Sequence, residues 1–285
     1  MDFENRAAYS GVIYMHTFNE HPDQAHFERH CHEYYELLYV VSGEGRYVVE
    51  STEYPLQPNM LLLIRPYEFH YVCPKKNTPY ERYVLHFKGS VLGDVVNSLP
   101  IMCTDGHREH GVYFPPYSFD GSVRQVISNL EGVRELFKGT PNHRAKRSAL
   151  VHADLTRSLL LLSLSEPERV SVEDGNVIPR VIDHLNLNLD KEVSLDELSQ
   201  QFFISKYYLC HAFRKYTGVT LFQYLSVKRI AMAQHLLEMG EPATSVAYAV
   251  GFRNYSSFYR TFCKVTGHAP VYGRQEKGEE SGTVL

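Results

Sequence analysis

Two stretches in the last third of the 285-residue chain repeat each other without a gap. The segment 205–218 reads SKYYLCHAFRKYTG, and the segment 254–267 reads NYSSFYRTFCKVTG. Both begin with a residue type that caps helix N-termini, and both end in Thr-Gly, where glycine can end a helix. Apolar residues recur at helical spacing inside each copy. The repeat therefore predicts one helix that is used twice.

A shorter helical segment precedes each copy at the distance of a tight turn. In the first copy this segment covers 195–202, after the capping residue Ser194 with Glu197 three residues on. In the second copy it covers about 243–250, with Pro242 at a permitted early position. A helix, a tight turn and a second helix form the DNA-reading motif whose second helix enters the major groove. Plain helical hairpins would explain one such copy, but two copies favour DNA binding.

Helical wheels of the two repeats separate a core-facing stripe from an outward stripe. The residues predicted to face the core are Leu209, Ala212, Phe213, Tyr216, Phe258, Phe262 and Val265. On the outward stripe an arginine can bond a guanine edge with two hydrogen bonds, and tyrosine and serine can reach bases or phosphates. The predicted DNA-binding residues are Tyr207, Cys210, His211, Arg214, Lys215, Arg253, Tyr255, Ser256, Tyr259 and Arg260.

The segment between the repeats adds a test of spacing. The predicted helix-turn-helix units, at about 195–217 and 243–266, flank a continuous helical pattern at about 220–239. About 20 helical residues span about 30 Å, close to the repeat of B-DNA at about 34 Å per turn. Such a helix would hold two recognition helices in successive major grooves. Lys228 and Arg229 on this helix are either phosphate contacts or ordinary solvated charges.

Charge is distributed unevenly along the chain, whose formal net charge is −4. Residues 192–274 hold 9 Lys and Arg against 5 Asp and Glu, whereas residues 1–175 hold 17 against 23. The basic part is thus confined to the end with the repeats, as expected for a nucleic-acid footprint. Ordinary variation of surface charge is the alternative explanation.

Residues 177–274 resemble the DNA-binding domain of the AraC-type (AraC/XylS family) transcription regulators. The stretches that carry the resemblance are VSLDELSQQFFISKYYLCHAFRKYTG and VAYAVGFRNYSSFYRTFCKVTGHAP. The resemblance implies that one monomer contacts a half-site with both units, beside a promoter, and often activates RNA polymerase. The chain departs from the family pattern at Ser199, at Phe203 and in the segment 270–274. Cys210 and His211 are also less usual residues at base-contacting positions, which leaves the exact base contacts open.

Residues 1–115 are predicted to form a small antiparallel barrel or sandwich, because short runs of β-forming residues alternate with turn residues. The segment HCHEYYE at 30–36, followed by Gly43, resembles the first cupin motif. In metal-binding cupins two histidines, a glutamate and a later histidine hold the ion. The matching set here is His30, His32, Glu36 and His70. The second motif departs from the metal-binding pattern at Pro66, and the sensor barrels of AraC-type regulators bind small effectors, so we expect no metal and no cofactor.

The run RYVLHF gives Arg82 and His86 one strand face. Both side chains would be unusual inside a barrel unless they met a polar ligand. A sugar or a carboxylate would suit them, and the outer face of the barrel is the alternative position. The predicted effector-binding residues are His30, His32, Glu36, His70, Arg82 and His86.

Two amphipathic helices are predicted within residues 116–165, the second at about 145–164. They would either cover the barrel or pair with a second subunit. Residues 166–176 are predicted to be a linker and residues 275–285 a flexible tail. The predicted fold is therefore α+β, with a cupin-like β-barrel and two helices followed by an all-α DNA-binding domain.

The remaining features point to the cytoplasm. The five cysteines are scattered and odd in number, the N-terminus lacks the pattern of a signal peptide, and no apolar run is long enough to span a membrane. We expect a homodimeric transcription regulator that acts as an activator and is not an enzyme. It would bind double-stranded DNA, RNA polymerase and a small effector such as a sugar. A cupin metalloenzyme with a DNA-binding tail and an effector-independent regulator are the alternatives. The sequence leaves the effector, the operator, the target genes and the choice between activation and repression open.

Overall fold

The computed structural model describes residues 2–9, 11–23, 27–99, 110–116, 126, 129, 132, 144–165, 167–168 and 176–270. The chain divides into two compact units. The first comprises residues 1–28 and 34–171, and the second comprises residues 29–33 and 172–285. The predicted tail and most of the predicted linker and first central helix lie outside the described residues. Within the described residues no helix is both long and apolar enough to cross a membrane.

Within the residues that the structure describes, nine strands make up the sheets of the first unit. They are β1 (Phe3–Tyr9), β2 (Val12–Asn19), β3 (Tyr35–Ser42), β4 (Gly45–Val49), β5 (Thr52–Leu56), β6 (Leu61–Ile64), β7 (His70–Pro74), β8 (Tyr80–Phe87) and β9 (Val112–Phe114). The larger sheet has the order β1-β2-β8-β3-β6-β9, and the smaller sheet has the order β5-β4-β7. All pairings between these strands are antiparallel, as the sequence predicts.

Alternation along the strands decides which side chains point between the two sheets. Leu38 and Val84 of the larger sheet share one apolar cluster with Tyr47 of the smaller sheet. Side chains two positions apart on a strand lie on the same face. Glu36 and His86 therefore point into the space between the sheets. Of the two positions that the sequence left open for His86, the structure has the interior and not the outer face.

The opposite face of the larger sheet is covered by helix α1 (Arg144–Leu164). This helix begins one residue before its predicted start. The buried residues of α1 are Val151, Leu155, Leu159 and Leu162, and they pack with Leu37, Tyr39 and Leu85 of the sheet. Asn129, from the first predicted central helix, donates a 3.1 Å hydrogen bond to the Ser158 hydroxyl. Covering the sheet is therefore one role of the central helical segment.

The second unit is helical. Its helices are α2 (Val177–Asn186), α3 (Leu195–Gln201), α4 (Lys206–Thr217), α5 (Leu221–Glu238), α6 (Ala243–Ala249) and α7 (Tyr255–Thr266). These bounds agree with the predicted helix-turn-helix units to within one or two residues. Ser205 and Asn254 cap α4 and α7 through their side chains, and Gly218 and Gly267 end them in left-handed conformations, as the repeat predicts.

Two helix starts, those of α3 and α6, differ in detail from the prediction. Ser194 caps α3 through the backbone N–H of Asp196, not through the capping box predicted with Glu197. The reciprocal capping box is found at Thr220 and Gln223, where α5 begins. Pro242 is the N-cap of α6, one residue before the helix.

Helix α5 connects the cores of both helix-turn-helix units. Tyr224 near its start packs edge-to-face against Phe213 of α4, with ring centroids 5.5 Å apart. Ile230 and Leu237 lie in the cluster that also contains Phe258 and Phe262 of α7. The 18 residues of α5 span about 27 Å at 1.5 Å per residue. One continuous helix thus supports both copies of the repeated helix.

Candidate nucleic-acid interface and ligand site

Helix α4 presents a polar stripe to solvent. Leu209 and Phe213 are fully buried on its inner face, as predicted. The side chains predicted to read DNA are all exposed on this helix, namely Tyr207, Cys210, His211, Arg214 and Lys215. Tyr207 is 81% exposed and stacks on His211 with ring centroids 6.1 Å apart. An exposed aromatic ring beside donors and cations is suited to a groove that offers bases and phosphates.

Helix α7 repeats this arrangement in the second helix-turn-helix motif. Ser256, Tyr259 and Arg260 are exposed, and Arg260 reaches the Ser256 carbonyl only at 3.4 Å. The neighbouring Cys263 side chain raises the pKa of the Tyr259 hydroxyl, which therefore stays a neutral donor near pH 7. Tyr255 is half-buried against Phe258, with ring centroids 5.9 Å apart. Tyr255 thus contributes to the core as well as to the outward face.

Two further arginines near α7 have partners within the second unit. Arg253 forms an exposed ion pair with Glu192. Arg229 of α5 donates from Nε to the Leu189 carbonyl at 2.7 Å and from Nη2 to the Lys191 carbonyl at 2.6 Å. Its guanidinium group therefore holds the 189–191 loop, a structural role that the charge pattern of the sequence does not reveal.

Gly251 lies where this loop meets the turn of the second helix-turn-helix unit. Its φ of +85° is left-handed, and a Cβ there would lie 2.7 Å from the Leu189 carbonyl oxygen and 2.8 Å from that of Asp190. Glycine is therefore required both by the backbone conformation and by the close approach of the loop. In the first helix-turn-helix motif the corresponding turn holds Phe203, with φ +55° and a side chain that is 94% exposed.

The interior of the first unit contains a polar cluster around Glu36. The Glu36 Oε2 atom lies 2.7 Å from His86 Nε2 and 3.6 Å from His70 Nε2. The Tyr47 hydroxyl donates to Oε1 at 3.2 Å. Burial alone would lower the pKa of His70, but the nearby charge of Glu36 and the hydrogen bond to the Glu68 carbonyl outweigh it and raise the pKa. Within the first unit the structure thus brings together Glu36, His70 and His86 of the predicted effector-binding residues.

Arg82 occupies a different part of the same interior. Its Nη1 donates to the Asn19 side chain at 3.0 Å, and its guanidinium carbon lies 4.6 Å from the centre of the Tyr80 ring. Burial raises the pKa of the Tyr80 hydroxyl to about 12. The two remaining predicted residues, His30 and His32, belong to the 29–33 segment that groups with the second unit. Their rings are half-buried with centroids 6.0 Å apart.

Comparison with known families assigns both units. Residues 13–153 match the family described as AraC-like ligand binding domain, and residues 198–275 match a helix-turn-helix domain family. The chain belongs to the AraC-type transcription regulators. This AraC-type regulator thus has an N-terminal ligand-binding domain in its first unit and a DNA-binding domain in its second.

Curated relatives agree with this assignment over most of the chain. The "probable transcriptional regulator LumQ" of Photobacterium leiognathi is 26% identical over 248 residues, which cover 85% of this chain and 90% of LumQ. The "HTH-type transcriptional activator RhaS" of Escherichia coli O81 (strain ED1a) is 25% identical over 257 residues, which cover 88% of this chain and 89% of RhaS. This AraC-type regulator is therefore similar to transcription regulators over most of its length.

Proposed function

We propose that this regulator is a homodimeric activator that binds one DNA half-site with both helix-turn-helix units of each subunit. The observation that carries the proposal is the pair of exposed polar stripes on α4 and α7, which are supported by one rigid helix. The length of α5, about 27 Å, approaches the repeat of B-DNA, so the two recognition helices suit successive major grooves. The base-reading residues would be the exposed members of the predicted set, with Arg260 foremost.

Self-association is supported by an apolar seam on α1. Leu150, Leu160 and Leu164 are exposed, although the opposite face of the helix packs on the sheet. Together with the exposed Ala153 and Arg157 they follow the three- and four-residue spacing of a coiled-coil seam. A second copy of the same helix is the partner that such a seam suits, and two subunits then bind paired half-sites with avidity.

Control by a small effector is supported by the polar groups inside the ligand-binding domain. Glu36, His70 and His86 offer acceptors and donors at one place, and Arg82 with Tyr80 offers a cation and an aromatic face at another. A sugar or a carboxylate would be recognised by such groups. The chain would act in the cytoplasm by binding rather than by catalysis, and as an activator it would contact RNA polymerase.

A footprint on the DNA adjoining its own gene, with and without candidate sugars, tests the proposal. We expect each half-site to show protection in two adjacent major grooves, and the effector to change the affinity or the occupied half-sites. Transcription with purified RNA polymerase on the same fragment should rise when the regulator and its effector are added. Protection of a single groove per half-site would contradict the two-unit model.

A further inference from the structure

Phe203, in the turn of the first helix-turn-helix motif, is unfavourable for folding in two respects. Its φ of +55° lies in the left-handed region, which is strained for residues other than glycine. Its side chain is 94% exposed, so a large apolar surface remains in water. Backbone strain of this kind is concentrated at functional positions. A strained and exposed aromatic residue therefore indicates a partner outside the domain that contacts the ring.

The second motif shows how an aromatic residue is placed when it serves the core. There Gly251 takes the left-handed position, and the next residue, Phe252, is buried. The Phe252 ring packs edge-to-face against Phe258, with ring centroids 5.5 Å apart. In the first motif Phe213 of α4 is fully buried, whereas the side chain of Phe203 lies in solvent. Core packing therefore does not explain a phenylalanine at position 203.

The first turn places Phe203 directly before the recognition helix α4. The Ile204 N–H donates to the Ser199 carbonyl at 3.0 Å, and Ser205 caps α4 through its side chain. Tyr207, in the first turn of α4, is 81% exposed. In helix-turn-helix proteins the N-terminal residues of the recognition helix contact base edges in the major groove. The turn therefore presents the phenyl ring at the end of α4 that enters the groove.

The chemistry of a phenyl ring limits what it recognises in the major groove. The ring has no N–H or O–H group and no carbonyl, so it forms no conventional hydrogen bond with a base edge. The apolar group that base pairs display in this groove is the 5-methyl group of thymine. We propose that Phe203 contacts the 5-methyl group of one thymine in each half-site. The inference rests on the proposed binding of a half-site by both motifs, and it adds a residue that the predicted DNA-binding set does not contain.

Uracil interference with the full chain tests this contact, because uracil is thymine without its 5-methyl group. The DNA fragment adjoining its own gene is prepared with uracil at random thymine positions, divided into bound and free DNA, and cleaved at uracil. Gel-shift titration of singly substituted fragments then measures each fold-change. We expect uracil at one thymine of each half-site to weaken wild-type binding about fourfold, as loss of one buried methyl group implies. The Phe203→Ala variant should bind thymine and uracil equally at that position, and uracil elsewhere should affect both proteins alike.

Two further variants separate the ring from the backbone. Phe203→Ala keeps the left-handed backbone and removes an exposed ring, so circular dichroism should show an unchanged fold. Phe203→Leu should restore part of the preference for thymine over uracil, since leucine is also a large apolar side chain. Tyr248→Ala is the matched control, because Tyr248 on α6 is another exposed aromatic residue of the same domain. It should leave the uracil pattern of the wild-type chain unchanged.

The possible failures of this inference differ from those of the proposed function. Identical uracil patterns for the wild-type chain and a folded Phe203→Ala variant would overturn the inference and leave two-motif binding intact. The exposed ring would then indicate a protein partner or a wedge in the minor groove. The same change of pattern with Tyr248→Ala would also overturn it, because the effect would not be specific to the turn. A wild-type chain that protects no DNA would overturn the proposed function together with the inference.

Discussion

At the scale of single residues, three arginines of the DNA-binding domain differ in what their guanidinium groups already hold. Arg229 donates to two backbone carbonyls, and Arg253 is paired with Glu192. Arg260 lies exposed on the recognition helix, and among the described residues its side chain makes a long 3.4 Å contact to its own helix. Of the three side chains, Arg260 therefore loses the weakest existing contacts when it turns towards a base edge.

Substitution Arg260→Ala should relax base preference at one position of each half-site. A bidentate contact to guanine is worth about 1–3 kcal/mol of discrimination, so that much selectivity should disappear at a single base pair. Gel-shift titration on a set of operator variants measures the loss position by position. Arg229→Ala is the comparison, because loss of its loop contacts should lower thermal stability and weaken binding to all sequences alike. A uniform loss with Arg260→Ala would instead indicate a phosphate contact.

Phe203 shows what the sequence could and could not predict at this scale. The sequence marks it as a departure from the family pattern at the first turn, but its left-handed backbone and near-complete exposure depend on the folded turn. Arg229 is similar, since a basic residue on a helix gives no sign of the carbonyls that it will meet. Local patterns identify the type of residue on each face, whereas its partners come from contacts between distant segments.

Substitution Phe203→Asn should stabilise the DNA-binding domain. A left-handed conformation costs most L-residues about 1–2 kcal/mol, and asparagine tolerates it better than phenylalanine. The exposed phenyl ring leaves little packing to lose, so we expect a gain of about 1 kcal/mol. Calorimetry of the full chain, in the transition of the second unit, measures this gain. A lower transition temperature would mean that the ring is packed in solution.

At the scale of elements, the sequence predicted helices better than sheets. Caps such as Ser205 and Asn254 and helix-ending glycines act within one turn, so the helix bounds followed from local signals. The strand order brings β3 beside β8 and β6, and these contacts join residues far apart in sequence. The pairing of Glu36 with His86 was therefore not predictable, although alternation did predict that His86 shares a face with Arg82.

Two glycines with the same backbone conformation should respond differently to alanine. Gly218 has φ +80° and an added Cβ would meet no heavy atom within 4 Å, so Gly218→Ala should cost about 1 kcal/mol from the backbone alone. Gly251→Ala adds contacts under 3 Å with two carbonyl oxygens and with Arg229. It should therefore destabilise the second unit by clearly more than Gly218→Ala, as measured by calorimetry of both variants. Equal destabilisation by the two substitutions would show that the 189–191 loop moves at little cost to make room for the added methyl group.

At the scale of the whole molecule, each domain contains a surface that its own fold leaves exposed. The ligand-binding domain exposes leucines along α1, and the DNA-binding domain exposes the polar stripes of α4 and α7. If α1 joins two subunits, the affinity of the molecule for paired half-sites exceeds that of one DNA-binding domain without any new DNA contact. Association of two subunits through the apolar seam would then raise the DNA affinity of the polar stripes through avidity.

The double variant Leu160→Gln with Leu164→Gln should separate these two effects. Amide groups placed in an apolar seam weaken self-association, so the sedimentation velocity of the full chain should shift towards the monomer. Affinity for DNA with two half-sites should fall by a factor on the order of 10² or more, whereas affinity for one half-site should not change. Leu187→Gln with Met239→Gln is the control, because it removes similarly exposed apolar side chains from the second unit. A variant that stays dimeric, or that binds both fragments with wild-type affinity, would place the subunit contact away from α1.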